Sequence, residues 1–127
     1  MVDKEILISK IIDCANDVRR ILSSGYLEKV YENALAHELS QIGISVSQQQ
    51  PLEVRYKDTV VGHYIADLVV EGIVIVEIKA IKSIDLSHET QLVNYLTTTG
   101  LDDGLIINFG NPVKIQIKRK YRTYKPS

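Results

Sequence analysis

Three charged residues stand inside apolar, strand-like runs. Asp67 lies in Tyr64-Ile65-Ala66-Asp67-Leu68-Val69-Val70, and Glu77 and Lys79 lie in Ile75-Val76-Glu77-Ile78-Lys79. An isolated buried carboxylate or ammonium is costly, so three such groups on neighbouring strands should converge. The two-residue period of a strand puts Glu77 and Lys79 on one face. Two carboxylates there suit a hard divalent cation such as magnesium, held through oxygen ligands at about 2.0–2.1 Å. The lysine could hold a water or hydroxide, or stabilise negative charge on a phosphate. The same three residues also read as a buried ion-pair cluster without metal, and composition alone does not separate the two. Further along, His88, Gln91 and Tyr95 are spaced to share one helix face. His37 and His63 have no ligand-like spacing.

The pattern of Asp67, nine residues and then Glu77-Ile78-Lys79 resembles the catalytic signature of the PD-(D/E)xK nuclease superfamily. Gly25-Tyr26-Leu27-Glu28-Lys29-Val30-Tyr31-Glu32 resembles the motif that names the GxxExxY family, a small branch of it. Gln91-Leu92-Val93-Asn94-Tyr95-Leu96 and Ile106-Ile107-Asn108-Phe109-Gly110 resemble that family as well, so the likeness spans about residues 5–118. The resemblance implies a restriction-endonuclease-like core and a set of roles. Asp67 and Glu77 would be metal ligands, and Lys79 would orient the attacking water and stabilise the pentavalent transition state. Glu28 would be the helical acid that completes the metal shell, with Glu32 one turn on as its substitute. Gln91 and Tyr95 look like the QxxxY element of the exonuclease-like branch, which contacts the substrate backbone or supports the lysine; His88 joins them. Bland readings stay open beside these. With Gly25 as N-cap, Glu28 is N3, where an acid favours the helix dipole and can close a capping box. The His88, Gln91 and Tyr95 face can be a solvated polar stripe. Tyr31 is expected in the core.

The elements that must position these residues follow from periodicity. Leu7, Ile8, Ile11, Ile12, Ala15, Val18, Ile21 and Leu22 recur at helical spacing over 3–23, and Leu27, Val30, Tyr31, Ala34, Leu35, Leu39 and Ile42 repeat the pattern before Gly43. From Val46 the period changes to two, giving strands to about Tyr56 and over 60–70, with turns at Lys57-Asp58-Thr59 and Glu71-Gly72. The β-branched run Ile73–Ile78 reads as a central strand buried on both faces. Residues 85–99 return to helix, capped by Asp85 or Ser87 and ended by Gly100. A short buried strand holds Leu105, Ile106, Ile107 and Phe109, and a last strand covers 113–120. The order ααβββαββ predicts an α/β (α+β) sandwich: a mixed sheet flanked by helices. The register is a hard test. A two-residue loop at Glu71-Gly72 pairs Asp67 with Val76 and sends Asp67 and Glu77 to opposite faces. A shared metal therefore requires a three-residue loop or a bulge that brings Asp67 opposite Glu77.

Length and charge bound the rest. The 127 residues fit one domain, 1–127, with a basic C-terminal strand and tail over 113–127. The net charge is -1, yet residues 1–103 carry 9 basic and 16 acidic residues (-7), while 104–127 carry 6 basic residues and no acid (+6). This basic end is either a phosphate-backbone contact, with Lys118 and Lys120 as substrate-binding candidates, or an edge strand guarded by lysines. The single cysteine, Cys14, excludes an intrachain disulfide and a cysteine zinc site, and reads as buried packing. No apolar run approaches the roughly 20 residues of a membrane span, and the N-terminus lacks the order of a signal peptide. The expected location is cytoplasmic, without a membrane partner. The expected function is a magnesium- or manganese-dependent nuclease acting on nucleic acid, DNA first, with a homodimer or partner protein to supply further grip. The alternatives are a catalytically silent nuclease fold used for binding nucleic acid or protein, and a structural protein whose acids form a packed ion network.

Overall fold

The computed structural model describes residues 2–123. Lys125, one of the six basic residues of the C-terminal end, lies outside them. Helix α1 spans Lys4–Leu22, and Asp3 caps it by accepting the Ile6 amide at 3.1 Å. Its stripe of Leu7, Ile8, Ile11, Cys14, Ala15 and Val18 is buried. Burying each large aliphatic side chain stabilises by about 1.5–3 kcal/mol, which outweighs the few tenths lost to the poor helix propensity of isoleucine. Helix α2 covers Glu28–Gln41, with Leu27 as an N-cap that supplies no side-chain hydrogen bond. The expected Gly25 cap is therefore corrected. Glu28 is the first helical residue, not the third, and no capping box forms; it still places an acid in the first turn, where the helix dipole favours one. Gly25 instead takes a φ of 117°, a left-handed conformation that suits glycine, in the loop between the helices.

Five strands follow the expected order. They are β1 (Val46–Tyr56), β2 (Thr59–Val70), β3 (Val74–Lys79), then after helix α3 (Leu86–Thr99) β4 (Asp103–Asn108) and β5 (Gln116–Tyr121). The sheet order is β1-β2-β3-β4-β5, with β3 and β4 parallel and the other neighbours antiparallel. Helices α1 and α2 cover one face through a core that includes Leu35, Leu68, Val76, Ile78 and Phe109. Helix α3 covers the other with Leu92 and Leu96 against Ala66, Ile75 and Ile106. β3 is central, and Val74, Ile75, Val76 and Ile78 are buried. The last strand starts three residues later than the alternation suggested. Val113 is 86% exposed, and Asn111 binds the amides of Val113 and Lys114 through its side chain, making an Asx turn where a strand was expected. No helix is long and apolar enough to cross a membrane among the described residues.

Candidate active site

The register test comes out on the side of a shared site. Glu71, Gly72 and Ile73 form a three-residue loop, and Val70 pairs with Val74, Val69 with Ile75 and Leu68 with Val76. Continued by one step, this register sets Asp67 opposite Glu77. The ladder stops there because Asp67 Oδ2 accepts the Ile78 amide at 2.8 Å, taking the place of a backbone carbonyl. Beyond this point β2 pairs only with β1, so the two strands part at the acids.

The side-chain alternation also slips at Asp67. Ala66 packs under α3, yet Leu68, two residues on, packs under α1 and α2. Residues two apart in a regular strand share a face, so β2 is irregular between them. Directly across, Gln49 of β1 has a φ of 51° and no strand partner, although Gln48 and Gln50 pair normally. Gln49 Nε2 donates to Glu32 Oε1 at 2.8 Å and reaches Asp67 Oδ1 at 3.4 Å. Glu32 is 3% exposed; its Oε2 accepts Gln48 Nε2 at 2.7 Å and the Lys29 ammonium at 2.9 Å. Glu28, by contrast, is exposed at the start of α2, though near enough to act on Glu77 electrostatically.

On the α3 face, Glu77, Lys79, His88, Gln91 and Tyr95 line one cavity of about 70 Å³, together with Tyr64, Leu92 and Ile106. That volume holds a few waters or an ion with part of its hydration shell. Lys118, Lys120, Asp67 and Glu28 do not line it. His88 is also the N3 residue of a capping box on α3: Asp85 accepts the Ser87 and His88 amides, and the Asp85 amide donates to His88 Nδ1 at 3.2 Å. The Asp85 cap was expected, but the second half of the box was not, because histidine is an unusual partner in it.

Electrostatics single out the two strand acids. Burial pushes the Glu77 carboxyl up to about 7; Lys79 and the Asp67 backbone amide oppose the shift, and Glu28 and Glu32 add to it. Burial also raises Asp67, against the hydrogen bond from the Ile78 amide and with the help of Glu32. Among the described residues, Glu77 Oε1 is buried with no hydrogen-bond partner, as is the Tyr64 hydroxyl.

These observations test whether the residues suit a divalent cation. Among the described residues, no group of three His, Cys, Asp or Glu side chains is clustered tightly enough to hold a metal ion alone. Magnesium, however, is commonly held by one or two carboxylates, with water and substrate phosphate completing its shell. A buried carboxylate oxygen without a partner among the described residues, with a second carboxylate at the opposing register position whose other oxygen is held only at 3.4 Å, fits that pattern.

The segment after Lys79 is braced from β4 and β5. Asn108, fully buried, binds the Ile81 amide and carbonyl at 3.0 and 2.9 Å and also reaches Gln116, which accepts the Ile84 amide. A Cβ on Gly110 would come within 2.4 Å of the Ala80 carbonyl carbon and the Ile81 nitrogen, so only glycine lets this backbone pass. Phe109 stacks on Tyr31 with ring centroids 4.7 Å apart, and the Tyr31 hydroxyl donates to the Ser23 carbonyl at 2.7 Å. Tyr31 is core, as expected.

The basic end is largely committed to ion pairs. Arg119 binds Asp103 and Glu5, Arg122 binds Asp102 at 2.6 Å and Lys120 binds Glu89 at 3.2 Å. Lys118 is exposed, and it pairs across the sheet with Ile106, which puts it on the α3 face beside the cavity. Among the described basic residues of 114–123, Lys114 and Lys118 are the ones without an ion-pair partner among the described residues. Sequence reasoning missed Gln48, Gln49 and Tyr64. The run Gln48-Gln49-Gln50 in a strand was the signal available for the first two, and a tyrosine in an apolar strand next to Asp67 for the third.

A sequence profile of the PD-(D/E)XK nuclease superfamily matches residues 5–120. No curated protein matches the sequence. Among solved structures, the crystal structure of SSO0001 superposes with a TM-score of 0.61 at 17% identity, covering 77% of this chain and 52% of that one. The present chain spans about half the length of that structure. The family match, this likeness and the sheet flanked by helices together show a restriction-endonuclease-like α+β fold.

Proposed function

Since the chain belongs to the PD-(D/E)XK nuclease superfamily, we propose that it hydrolyses phosphodiester bonds of nucleic acid, DNA first, with magnesium or manganese as cofactor. The observation that carries this reading is the unpartnered Glu77 Oε1 in a cavity shared with Lys79, with Asp67 brought opposite by the three-residue loop. Asp67 and Glu77 would hold the cation, with Glu28 or Glu32 completing its surroundings. When bound, the cation would neutralise phosphate charge and lower the pKa of a water. The chain supplies the rest. Lys79 faces the cavity as a fixed positive charge for the charge that grows on phosphorus oxygens. Gln91 and Tyr95 would orient the substrate backbone, and Lys118 would meet a flanking phosphate.

Within the superfamily, the GxxExxY branch is the proposed placement. It is supported by what the motif residues do: Gly25 holds a left-handed turn, Tyr31 ties that loop to the core, and Glu32 joins Gln49 beside Asp67. The reading treats 1–127 as one nuclease-like domain acting in the cytoplasm, with a second copy or a partner protein adding substrate contacts. The test is cleavage of DNA with magnesium or manganese. Lys79→Ala and Asp67→Ala are each expected to lower the rate by about 10²-fold or more. Cleavage that survives either change in full defeats the proposal; salt-dependent binding without cleavage points to a silent binding module.

A further inference from the structure

We propose that Tyr64 is a substrate-contacting residue of this site, its hydroxyl being the donor for a non-bridging oxygen of a nucleic-acid phosphate. The inference rests on the nuclease reading and deepens it. Tyr64 stands on β2 three residues before Asp67 and is 8% exposed. Its ring lies flat on that of Tyr95, with centroids 3.6 Å apart and planes at 6°. Stacking of this kind fixes the ring, and so fixes where the hydroxyl goes. A buried tyrosine hydroxyl normally finds a partner, and this one has none among the described residues.

The cavity explains what the missing partner would be. Five of its lining residues carry a donor group: Tyr64, Lys79, His88, Gln91 and Tyr95. His88 Nδ1 accepts the Asp85 amide, which leaves Nε2 as the nitrogen that carries the proton. A phosphate offers only acceptors, so a donor-lined cavity suits it. The buried acceptor on its lining that has no partner among the described residues, Glu77 Oε1, is the atom assigned above to the cation. Tyr64 and Glu77, which carry an unpartnered donor and an unpartnered acceptor, thus line one cavity, and a phosphate oxygen beside a divalent cation would satisfy the two.

Tyr64→Phe removes the donor and keeps the ring stack. The measurement is binding of a short fluorescent single-stranded DNA oligonucleotide, with calcium as the divalent cation, followed by anisotropy alongside thermal melting of the free protein. The expected result is a loss of affinity of about 5- to 20-fold, with a melting temperature no lower than that of the wild type. A lower melting temperature overturns the inference whatever the affinity, because the hydroxyl is then already satisfied in the free protein. Wild-type binding that Tyr64→Phe keeps in full overturns this inference alone. A wild-type protein that binds no oligonucleotide overturns the nuclease reading with it.

Discussion

Glu77 is the residue on which the proposed chemistry turns, and its protonation would make the site sensitive to pH. Burial lifts its carboxyl from 4.5 to about 7. Between those values the folded protein holds a proton that the unfolded chain has released, so folding stability falls as pH rises through that window. Glu77→Gln should therefore stabilise the metal-free protein by about 1–3 kcal/mol at roughly pH 8 and change little at roughly pH 4. Chemical denaturation at the two pH values checks this; equal effects at both would mean that Glu77 ionises like an exposed acid. Metal binding has the opposite dependence, because the ligand must lose its proton. Manganese affinity, read by titration calorimetry, should rise about tenfold per pH unit below roughly pH 7 and level off above it. A flat profile removes Glu77 from the ligand set. Asp67, Glu77 and Lys79 were legible in the sequence because charge inside an apolar strand is expensive. Tyr64, Gln48 and Gln49 were not. Phenols and amides occur in many strands, and what distinguishes these is the atom each one leaves free or holds.

Loop length and strand irregularity decide whether the acids meet. Deleting Gly72 would turn the three-residue loop into a two-residue one and shift β3 by one position against β2. Asp67 would then oppose Val76, and manganese binding should disappear while the helical signal in circular dichroism persists. Binding that survives the deletion would show that the loop does not set the site. The brace behind Lys79 is equally local. Gly110→Ala would press a methyl into the Ala80-Ile81 backbone at 2.4 Å, and the only relief is to move the segment that carries Lys79. We expect a loss of about 2–4 kcal/mol in denaturant unfolding. An unchanged midpoint would mean that this segment yields freely. The helices and the order of the strands were readable from periodicity, and the need for an odd loop followed from parity. The slip between Ala66 and Leu68 was not, since it lies across from Gln49, which leaves the ladder on the neighbouring strand.

Across the molecule, charge is spent on holding elements together more than on attracting a partner. Asp103 is buried on β4, and its carboxyl is desolvated, yet Lys4 and Arg119 still hold it below the usual carboxylate range. Arg119 also binds Glu5, so α1, β4 and β5 share one ion network. Because Asp103 ionises more readily when folded, its contribution is present above the ordinary carboxylate pKa and is lost as pH falls through its folded value. Glu77 acts in the reverse sense, so the metal-free protein should be most stable in mildly acidic solution, and a divalent cation should extend that stability toward alkaline pH. Arg119→Ala should cost about 2–4 kcal/mol by leaving Asp103 short of a partner. Lys118→Ala should leave stability unchanged and reduce the salt slope of nucleic-acid binding by about one. If the two variants exchange these effects, the basic end is a binding surface after all.

From residue types and their order alone came the helices, the strand sequence, the superfamily likeness and five of the residues that line the cavity, Glu77, Lys79, His88, Gln91 and Tyr95. These are local or periodic properties: a buried charge is costly wherever it sits, and a two- or 3.6-residue period declares itself without a partner. The pairing of Glu32 with Gln49, the open hydroxyl of Tyr64 and the commitment of Arg119, Lys120 and Arg122 to acids far away in the chain came only with the folded form. Arg119 and Glu5 are 114 residues apart, and nothing in the chain announces which acid a given base will find. Whether a polar atom is satisfied depends on neighbours from other elements, and those neighbours exist only once the sheet and its helices have closed around them.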